Sequence, residues 1–517
     1  MATIDPDRIP VVAAWGQCLE RSTLVRPTEL MAVAADQALA QVPALRDRLD
    51  RLSVVNVVGR VGPSPATELA RRLGIDPPVR EVTTIGGNTP QWLVNRAAAQ
   101  IARGELRATL IAGAEALHSS RERRRLRAAG QVVAGDGAHG AGVPDAPPDP
   151  VVGDDHPGPG PAELAANLIL PLYVYALFES VVAARAGHSA DQHRAAMGTL
   201  LAPFTEVAAR HPVAWFPEAR TAREIAEPAP DNRIVAQPYT KRMTAFLGSD
   251  QAAALIVCSL AEARRAGVAD GAVFVWAGAD AVDVRSPTAR PDPGSSPGIA
   301  AAGRALFGAA SDAAGSPLTM DDVGHLDLYS CFPSAVELGA AALGLATDDT
   351  RGLTVTGGLP YFGGPGNNYT SHAIATLCDR LRSAGSSGRP ELGLATGLGW
   401  FVTKHALGLY GTVPPPGGFR PGDTAADQRA IDESAVPVVL DVGEPTTAIV
   451  VAATAVPNDA NEIVAAPVIA RLATGEHVAA VPESDEVAAA AGATDPVSLV
   501  GARVTVSGAP PRYRIAG

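Results

Sequence analysis

Amide, phenol and imidazole side chains are concentrated in and just after a glycine-rich run at residues 357–369. Asn367, Asn368 and Tyr369 end the run, and His372 follows within one turn of the helix expected there. Any of these groups could donate a hydrogen bond to a reacting oxygen. Glycine and asparagine are also favoured in turns, so turn formation alone is the alternative. We predict that this run is a main segment of a functional site.

A second glycine-rich turn, Gly86, Gly87 and Asn88, separates an expected strand at residues 79–85 from an expected helix at residues 91–102. Backbone N–H groups at such a strand-to-helix turn can bind an oxyanion. A tight turn that only glycine can adopt is the alternative interpretation.

The elements that must position these residues follow two similar patterns. Helices and strands alternate over residues 28–115, which predicts a mainly parallel, layered α/β sheet, and a second α/β pattern starts at residue 273. Residues 128–161 have no apolar period and predict an exposed loop outside the core. Residues 164–215 are predicted to be a helical insertion that could cover a binding cleft.

The C-terminal part differs in character from the rest. A proline-rich spacer near residue 414 precedes five short predicted strands, which indicate a small β-barrel of the oligonucleotide/oligosaccharide-binding (OB) type. An antiparallel sheet packed on the main body is the alternative. The predicted units are residues 1–271, with an insertion at about 118–245, residues 272–411, a linker at 412–424 and the barrel at 425–517.

Composition narrows the classes of function. Apolar residues make up 47% and charged residues 19% of the 517 residues, which is typical of a packed globular chain. The net charge of −12 argues against non-specific nucleic-acid binding, so an anionic ligand would need a local basic patch.

Cysteine usage and apolar stretches bear on location. Four widely spaced cysteines form no Cys-x-x-Cys pair, so no zinc site or disulfide framework is predicted and a reducing cytoplasm fits best. Residues 1–25 lack the charged start and long apolar core of a signal peptide. Residues 164–186 are interrupted by Asn167, Pro171 and Glu179, which predicts a buried helix and no membrane span.

Residues 1–411 resemble the thiolase superfamily, nearest to the sterol-carrier-associated thiolases and thiolase-like proteins of the acetyl-CoA acetyltransferase type. The resemblance rests on the element order and on four motifs around one pocket. It implies a duplicated thiolase fold with layers α-β-α-β-α, a large insertion and the additional barrel.

The resemblance also implies which catalytic groups are replaced. The turn at residues 86–88 stands where the family has its nucleophilic cysteine, and Gly364 replaces the histidine of a Gly-His-Pro loop. The segment leading to Gly399 lacks a second cysteine. Tyr329, Ser330, Cys331 and Phe332 resemble a His-Asp-Cys-Phe motif, in which the retained Cys331 would be a candidate acid/base. A small buried residue at a strand end is the alternative for Cys331.

CoA or an acyl-CoA is the ligand that the resemblance implies, with no covalently bound cofactor and no metal. Lys241 and Arg242 are candidate phosphate partners, although solvated surface side chains are the alternative. The predicted ligand-binding set is Gly86, Gly87, Asn88, Lys241, Arg242, Ser249, Gly363, Gly364 and Gly399; the predicted catalytic set is Tyr329, Cys331, Asn367, Tyr369 and His372.

Three functions remain open from the sequence. The first is a protein that binds CoA or acyl-CoA without ordinary thiolase activity. The second resembles the cysteine-independent aldolases that cleave β-hydroxyacyl-CoA esters, including those with steroid side chains; Tyr329 and Tyr369 would then transfer protons. The third is a non-catalytic module for lipid or acyl-carrier interaction. The chain is expected to be a monomer or a homodimer, with the monomer favoured because the insertion and the barrel could block dimerisation.

Overall fold

The computed structural model describes residues 4–131, 146–384 and 390–515. Its first half alternates strands and helices as the sequence predicts. The elements are β1 (Pro10–Leu19), α1 (Pro27–Gln41), β2 (Arg51–Val54), α2 (Pro65–Leu73), β3 (Val79–Thr83), α3 (Thr89–Arg103), β4 (Ala108–Ala116) and α4 (Leu117–Ala128).

The insertion that follows is mostly helical, and the chain then returns to the sheet. Its elements are β5 (Val151–Val152), α5 (Pro161–Ala165), α6 (Pro171–Arg185), α7 (Ala190–Arg210), α8 (Ala222–Ala226), β6 (Ile234–Ala236) and β7 (Tyr239–Thr240), followed by β8 (Asp250–Ser259) and α9 (Leu260–Arg265). The apolar stretch at residues 164–186 begins its long helix at Pro171, because proline suits the first turn of a helix.

The second half repeats the alternation. Its elements are β9 (Val273–Val282), α10 (Pro297–Ala314), β10 (Val323–Asp327), α11 (Pro333–Leu343), α12 (Tyr369–Ala384), β11 (Leu392–Gly399) and β12 (Lys404–Gly411), followed by β13 (Arg420–Pro421) and α13 (Ala425–Glu433). Residues 412–424, predicted as a linker, are attached to the main sheet, since β13 pairs with β9.

One large sheet connects the two halves in the order β10-β11-β12-β9-β1-β8-β4-β2-β3-β5. Counted outward from the β9/β1 contact, each half places its first strand beside its last strand: β9 beside β12, and β1 beside β8. The second-to-last strands, β11 and β4, come next, so the two halves have the same strand order. Helices α3 and α12 contact strands of both halves, whereas α1 and α10 pack on one half each. Helices α3 and α12 therefore lie where the two halves meet.

The expectation of a mainly parallel sheet is only partly right. Pairs β2/β3, β2/β4, β3/β5 and β10/β11 are parallel, whereas β1/β8, β4/β8, β9/β12 and β11/β12 are antiparallel. The last strand of each half, β8 or β12, runs antiparallel to its neighbours. Between β11 and β12 the connecting turn is too short for the crossover connection that parallel strands need.

The segment before the insertion helices also differs from expectation. Residues 128–161 were predicted to be an exposed loop; Val151 is indeed exposed, but β5 pairs with β3, with Val82 opposite Val151. Residues 132–145 of this segment lie outside the described residues. The pairing covers the edge of β3, which would otherwise offer unpaired backbone groups to another chain.

The C-terminal region contains the predicted barrel, which is closed in the order β14-β17-β18-β20-β19. Its elements are β14 (Thr446–Ala453), β15 (Val456–Pro457), β16 (Ile463–Ala465), β17 (Val468–Leu472), β18 (His477–Pro482), α14 (Asp485–Ala493), α15 (Pro496–Leu499), β19 (Arg503–Ser507) and β20 (Arg512–Ile515). The barrel has its own apolar core and contacts the body through α6, where Ala453 N donates to Ser180 Oγ at 3.1 Å.

Within the described residues, no helix combines the length and the apolar character needed to cross a membrane.

Candidate functional site

The turn at residues 86–88 connects β3 to α3, as predicted. The Gly86 N–H donates to Asn367 Oδ1 at 3.0 Å. Within residues 4–131, 146–384 and 390–515, the N–H groups of Gly87 and Asn88 have no acceptor. Both lie at the N-terminus of the 15-residue helix α3, where the helix dipole favours negative charge. The turn therefore presents two N–H groups to a carbonyl oxygen or an anion.

No side chain fits at Gly87. A Cβ built there would overlap the Tyr329 hydroxyl and would lie 2.6 Å from Tyr329 Cζ and 2.5 Å from Leu398 O. A Cβ built at Gly399 would lie 2.5 Å from Asn88 Oδ1. Because these distances are far below van der Waals contact, the turn and the end of β11 pack backbone against backbone.

Tyr329 lies just beyond β10, and its N–H donates to Thr396 Oγ1 at 2.8 Å. Its ring packs edge-on against Tyr369, with ring centroids 5.5 Å apart. Its hydroxyl faces Gly87 and has no hydrogen-bond partner in the part of the chain that the structure describes. Burial raises the pKa of Tyr329 above its ordinary value, so the phenol stays protonated at neutral pH and can donate.

Tyr369 is fully buried and its hydroxyl is already engaged. It donates to Asp327 Oδ1 at 3.0 Å and lies 2.6 Å from Thr356 Oγ1. Asp327 is itself completely buried at the end of β10. The structure thus brings the two predicted tyrosines together but leaves only Tyr329 free to meet a ligand.

The two asparagines of the glycine-rich run bind backbone groups. Asn367 accepts from Gly86 and donates through Nδ2 to Asn56 O at 3.0 Å. Asn368 donates to Gly113 O at 2.7 Å. Asn367 is therefore at the turn but holds it in place, and Asn368 anchors the run to β4.

His372 is within α12 and none of its contacts is with the turn. Its Nδ1 is 2.8 Å from Gln17 Oε1, and its Nε2 is buried without a partner among the described residues. Burial lowers the pKa of His372 to about 3, so the ring is neutral. The sequence placed this histidine at the site because the helix phase was not known.

Cys331 is buried beneath the insertion. Tyr175 of α6 lies against it and stacks on Phe332 with centroids 4.5 Å apart. Burial raises the pKa of Cys331 to about 12, so the thiolate needed for nucleophilic chemistry is scarce at neutral pH.

Tyr175 also holds the turn between β11 and β12. Its hydroxyl donates to Trp400 O at 2.8 Å and accepts from Val402 N at 3.2 Å. Trp400 and Val402 have φ values of 56° and 51°, in the left-handed region that is unfavourable for such residues. One helix of the insertion thus stabilises a strained turn beside the site.

Little space remains at Tyr329. A cavity of about 10 Å³ lies between Tyr329, Leu398 and His405, enough for about one water molecule. A second cavity of about 160 Å³ is lined by Asn88, Lys404 and other residues of α3, β9 and β12. The larger cavity therefore reaches Asn88 of the 86–88 turn, whereas the space on the Tyr329 side is too small for a thioester unless Tyr329 moves.

The predicted phosphate partners lie near the end of the insertion, directly after β7. Lys241 is exposed, whereas the Arg242 guanidinium is 2.5 Å from Asp231 Oδ2 and 2.8 Å from Glu224 O. Arg242 would have to exchange Asp231 for a phosphate.

The remaining predicted ligand residues are buried: Gly363 and Gly364 in the glycine-rich run, and Ser249 just before β8. Gly364 N donates to Phe246 O at 2.8 Å, and a Cβ at Gly363 would lie 3.0 Å from Gln251 Cδ. Ser249 is fully buried, and its hydroxyl has no partner among the described residues. Among the described residues, no hydrogen bond joins Ser249, Gly363 or Gly364 to the 86–88 turn.

No protein-family model matches the chain, and no curated protein matches its sequence. Among solved structures, a monomeric SCP2-thiolase-like protein type 1 from Mycobacterium smegmatis is 28% identical with a TM-score of 0.80 and covers 99% of this chain and 100% of its own. This chain has a thiolase-like fold.

Two further structures share that fold at lower identity. The Ltp2-ChsH2(DUF35) aldolase is 19% identical with a TM-score of 0.56, covering 77% of this chain and 97% of that chain. Human mitochondrial 3-ketoacyl-CoA thiolase is 16% identical with a TM-score of 0.53, covering 78% and 99%. The likeness to the mycobacterial protein covers nearly the whole chain and therefore includes the C-terminal barrel.

Sequence reasoning missed two residues that organise the site of this thiolase-like fold. Tyr175 lies in an apolar helix, where the sequence cannot distinguish it from an aromatic residue that only fills the core. Asp327 sits at the end of an apolar strand, and a charged residue there was a signal that could have been used.

Glu115 gives the stability of the protein a predicted pH dependence. It is fully buried at the end of β4, accepts N–H groups of Val58 and Gly59, and burial raises its pKa to about 7 from 4.5. A carboxyl with a raised folded-state pKa contributes stability that is complete below the unfolded pKa and is lost as pH rises through 7. We expect Glu115→Gln to flatten the fall in unfolding free energy between pH 4.5 and 7, by up to about 1.4 kcal/mol per pH unit. Urea unfolding at several pH values measures this.

The matched control is Glu433→Gln, which changes an exposed carboxyl at the end of α13. It should leave the pH profile unchanged. Identical profiles for Glu115→Gln and the wild type would contradict the assignment.

Proposed function

We propose that this protein binds CoA or an acyl-CoA with the thioester carbonyl at the 86–88 turn, and that it does not thiolyse the ester. The observation that carries the proposal is the packing at Gly87. The turn has two free N–H groups for an oxygen, but the Tyr329 hydroxyl and Leu398 O leave no room for a nucleophilic side chain.

The nearest thiol supports the same conclusion. Cys331 is buried under Tyr175, and its raised pKa disfavours the thiolate. Without a nucleophile, a site retains only the contributions of binding and of oxyanion stabilisation. Ligand entry displaces the Tyr329 side chain, whose hydroxyl then donates to the thioester oxygen beside the two N–H groups.

The nucleotide end of CoA is proposed to lie at Lys241 and Arg242. The short segment after them contacts the site, since Ala245 N donates to Cys331 O at 2.8 Å and Phe246 O accepts from Gly364. A phosphate would replace Asp231 on the Arg242 guanidinium.

The decisive experiment is calorimetric titration with CoA and acetyl-CoA, together with an acetoacetyl-CoA thiolysis assay. We expect saturable binding and no thiolysis. Arg242→Ala should weaken binding of acetyl-CoA at least about tenfold, because a charge-assisted hydrogen bond is lost, but not binding of an N-acetylcysteamine thioester, which lacks the nucleotide.

Arg223→Ala is the matched control, because Arg223 is an exposed arginine on neighbouring α8 that pairs with Glu227. It should leave the affinity unchanged. Thiolysis by the wild type would refute the proposal, and absence of any CoA or thioester binding would instead favour a non-catalytic lipid or acyl-carrier module.

A second candidate is a carbon–carbon lyase acting on a β-hydroxyacyl-CoA ester, including esters with a steroid side chain. The free hydroxyl of Tyr329 beside the turn favours it. The β-hydroxyl proton is lost to water, the Cα–Cβ bond breaks to a carbonyl product and an enolate, and the two N–H groups stabilise the enolate. Tyr329 then protonates Cα and recovers its proton from water. Tyr369 would position Tyr329, since its own hydroxyl is engaged by Asp327.

Tyr329→Phe tests this candidate. We expect it to reduce cleavage by about 10²–10⁴-fold, measured by mass spectrometry of the products, while thioester binding is retained. Cleavage unaffected by this substitution would exclude Tyr329 as the proton donor.

We also propose that the protein is a monomer and that it is located in the cytoplasm. Pairing of β5 with β3 covers the sheet edge beside the turn, and the mycobacterial protein of similar fold is described as monomeric. The four cysteines are free, which fits a reducing compartment. The barrel is proposed to be OB-like.

A further inference from the structure

Three metal-ligating side chains from three helices meet in the interior, apart from the site described above. Glu179 comes from α6, His193 from α7 and Glu337 from α11. His193 Nε2 is 2.6 Å from Glu179 Oε1 and 3.9 Å from Glu337 Oε2, and one ligand atom of each residue lies within 4.8 Å of the other two.

The cluster concentrates negative charge where water cannot solvate it. The side chains of Glu179, His193 and Glu337 are 0%, 2% and 15% exposed. Among the residues that the structure describes, no lysine or arginine pairs with either carboxyl group. Two buried carboxyls without a cation are costly, so one must hold a proton or a cation must join them.

One oxygen atom of the cluster, on Glu337, has no hydrogen-bond partner among the residues that the structure describes. Its Oε2 is a buried acceptor that has no hydrogen bond in the described part of the chain. The oxygen lies on the side of the cluster occupied by His193 Nε2.

The outer atoms of the cluster are fixed by further hydrogen bonds. Tyr239 donates to Glu179 Oε2 at 2.6 Å, and its oxygen lies 2.8 Å from Ser334 Oγ. On the other side, His193 Nδ1 is 3.3 Å from His188 Nδ1. Ligating histidines and carboxylates in metal sites are held in this way, through the atom that does not bind the metal.

We propose that Glu179 Oε1, His193 Nε2 and Glu337 Oε2 bind one zinc ion, which fastens the insertion helices α6 and α7 to α11. One imidazole nitrogen with two carboxylate oxygens suits zinc, and a water molecule completes a tetrahedral set. Zinc takes these ligands at about 2.0–2.2 Å, which places neighbouring ligand atoms about 3.4 Å apart. The separations of 2.6 Å and 3.9 Å from His193 Nε2 lie on either side of that value.

The position of the cluster gives the ion a structural role. Helix α11 begins at Pro333, directly after Cys331 and Phe332, and α6 carries Tyr175, which covers them. An ion between these helices therefore fixes the insertion over the site. The inference is independent of the proposed acyl-CoA function.

The test uses the full-length, tag-free chain after treatment with a chelator. We expect one zinc per chain by elemental analysis after reloading, a higher Tm than in the chelated protein, and a cobalt(II) absorption spectrum typical of tetrahedral coordination. Glu337→Gln, which keeps the shape of the protonated side chain, and His193→Gln should each lower zinc affinity more than about 100-fold.

His211→Gln is the matched control, because His211 is a half-buried histidine just beyond the end of α7, hydrogen-bonded to Thr376. It should keep wild-type zinc affinity and the cobalt spectrum. Circular dichroism shows whether each variant is folded; if one is not, the cobalt spectrum of the wild type decides alone. No stoichiometric zinc in the wild type, or equal affinity in folded Glu337→Gln and His193→Gln variants, would overturn the proposal, as would a preference for magnesium over zinc.

Discussion

Replacing Asp327 with alanine should lower the free energy of unfolding by about 3–5 kcal/mol, because several buried donors lose one shared acceptor. Asp327 Oδ2 accepts from Thr354 Oγ1 at 3.0 Å, Val355 N at 3.0 Å and Thr356 N at 3.2 Å, and Oδ1 accepts from the Tyr369 hydroxyl at 3.0 Å. Denaturant unfolding followed by circular dichroism measures the loss. The same substitution should weaken acyl-CoA binding, since the loop that supports the site loses its anchor.

The matched control is Asp321→Ala, an exposed aspartate shortly before β10. Its effect should stay within about 0.5 kcal/mol. The loss for Asp327→Asn should lie between those of the two alanine variants. The amide oxygen can still accept hydrogen bonds, but the amide NH2 group would face groups that themselves donate. A loss below 1 kcal/mol for Asp327→Ala would show that water replaces the carboxylate without penalty.

Replacing Gly87 with alanine should cost about 2–3 kcal/mol through overpacking, even though alanine is among the smallest side chains. The new Cβ would overlap the Tyr329 hydroxyl and lie 2.5 Å from Leu398 O, so the turn, the tyrosine or the end of β11 must move. Thermal and denaturant unfolding measure the cost. Adding Tyr329→Ala should recover part of it, because one of the two obstacles is removed.

Gly308→Ala in α10 is the matched control, since a Cβ there meets no atom within 4 Å. It should be neutral or stabilising by up to about 1 kcal/mol, because alanine favours a helix more than glycine does. Wild-type stability of Gly87→Ala would mean that the site is open enough for a side chain, and the reasoning against a nucleophile there would fail.

The sequence by itself determined the local features of this protein. Alternating apolar periods predicted the two α/β halves, the long helices of the insertion and the strands of the barrel, because each pattern is contained within one element. The glycine-rich turn at residues 86–88 was likewise placed correctly between a strand and a helix.

The tertiary structure alone decided which groups are free. Tyr329 and Tyr369 look equivalent in the sequence, but Asp327 and Thr356 engage only Tyr369. His372, a predicted catalytic residue, contacts Gln17 instead of the turn. Such differences depend on helix phase and on partners from distant segments.

Strand direction, the β5 cover on β3 and the meeting of Glu179, His193 and Glu337 were also decided by the tertiary structure. The three cluster residues stand at no spacing typical of a metal motif, and each occupies a helix that on its own shows only a buried polar position. Local periodicity records which face of an element is apolar, whereas contacts between elements depend on how the whole chain packs.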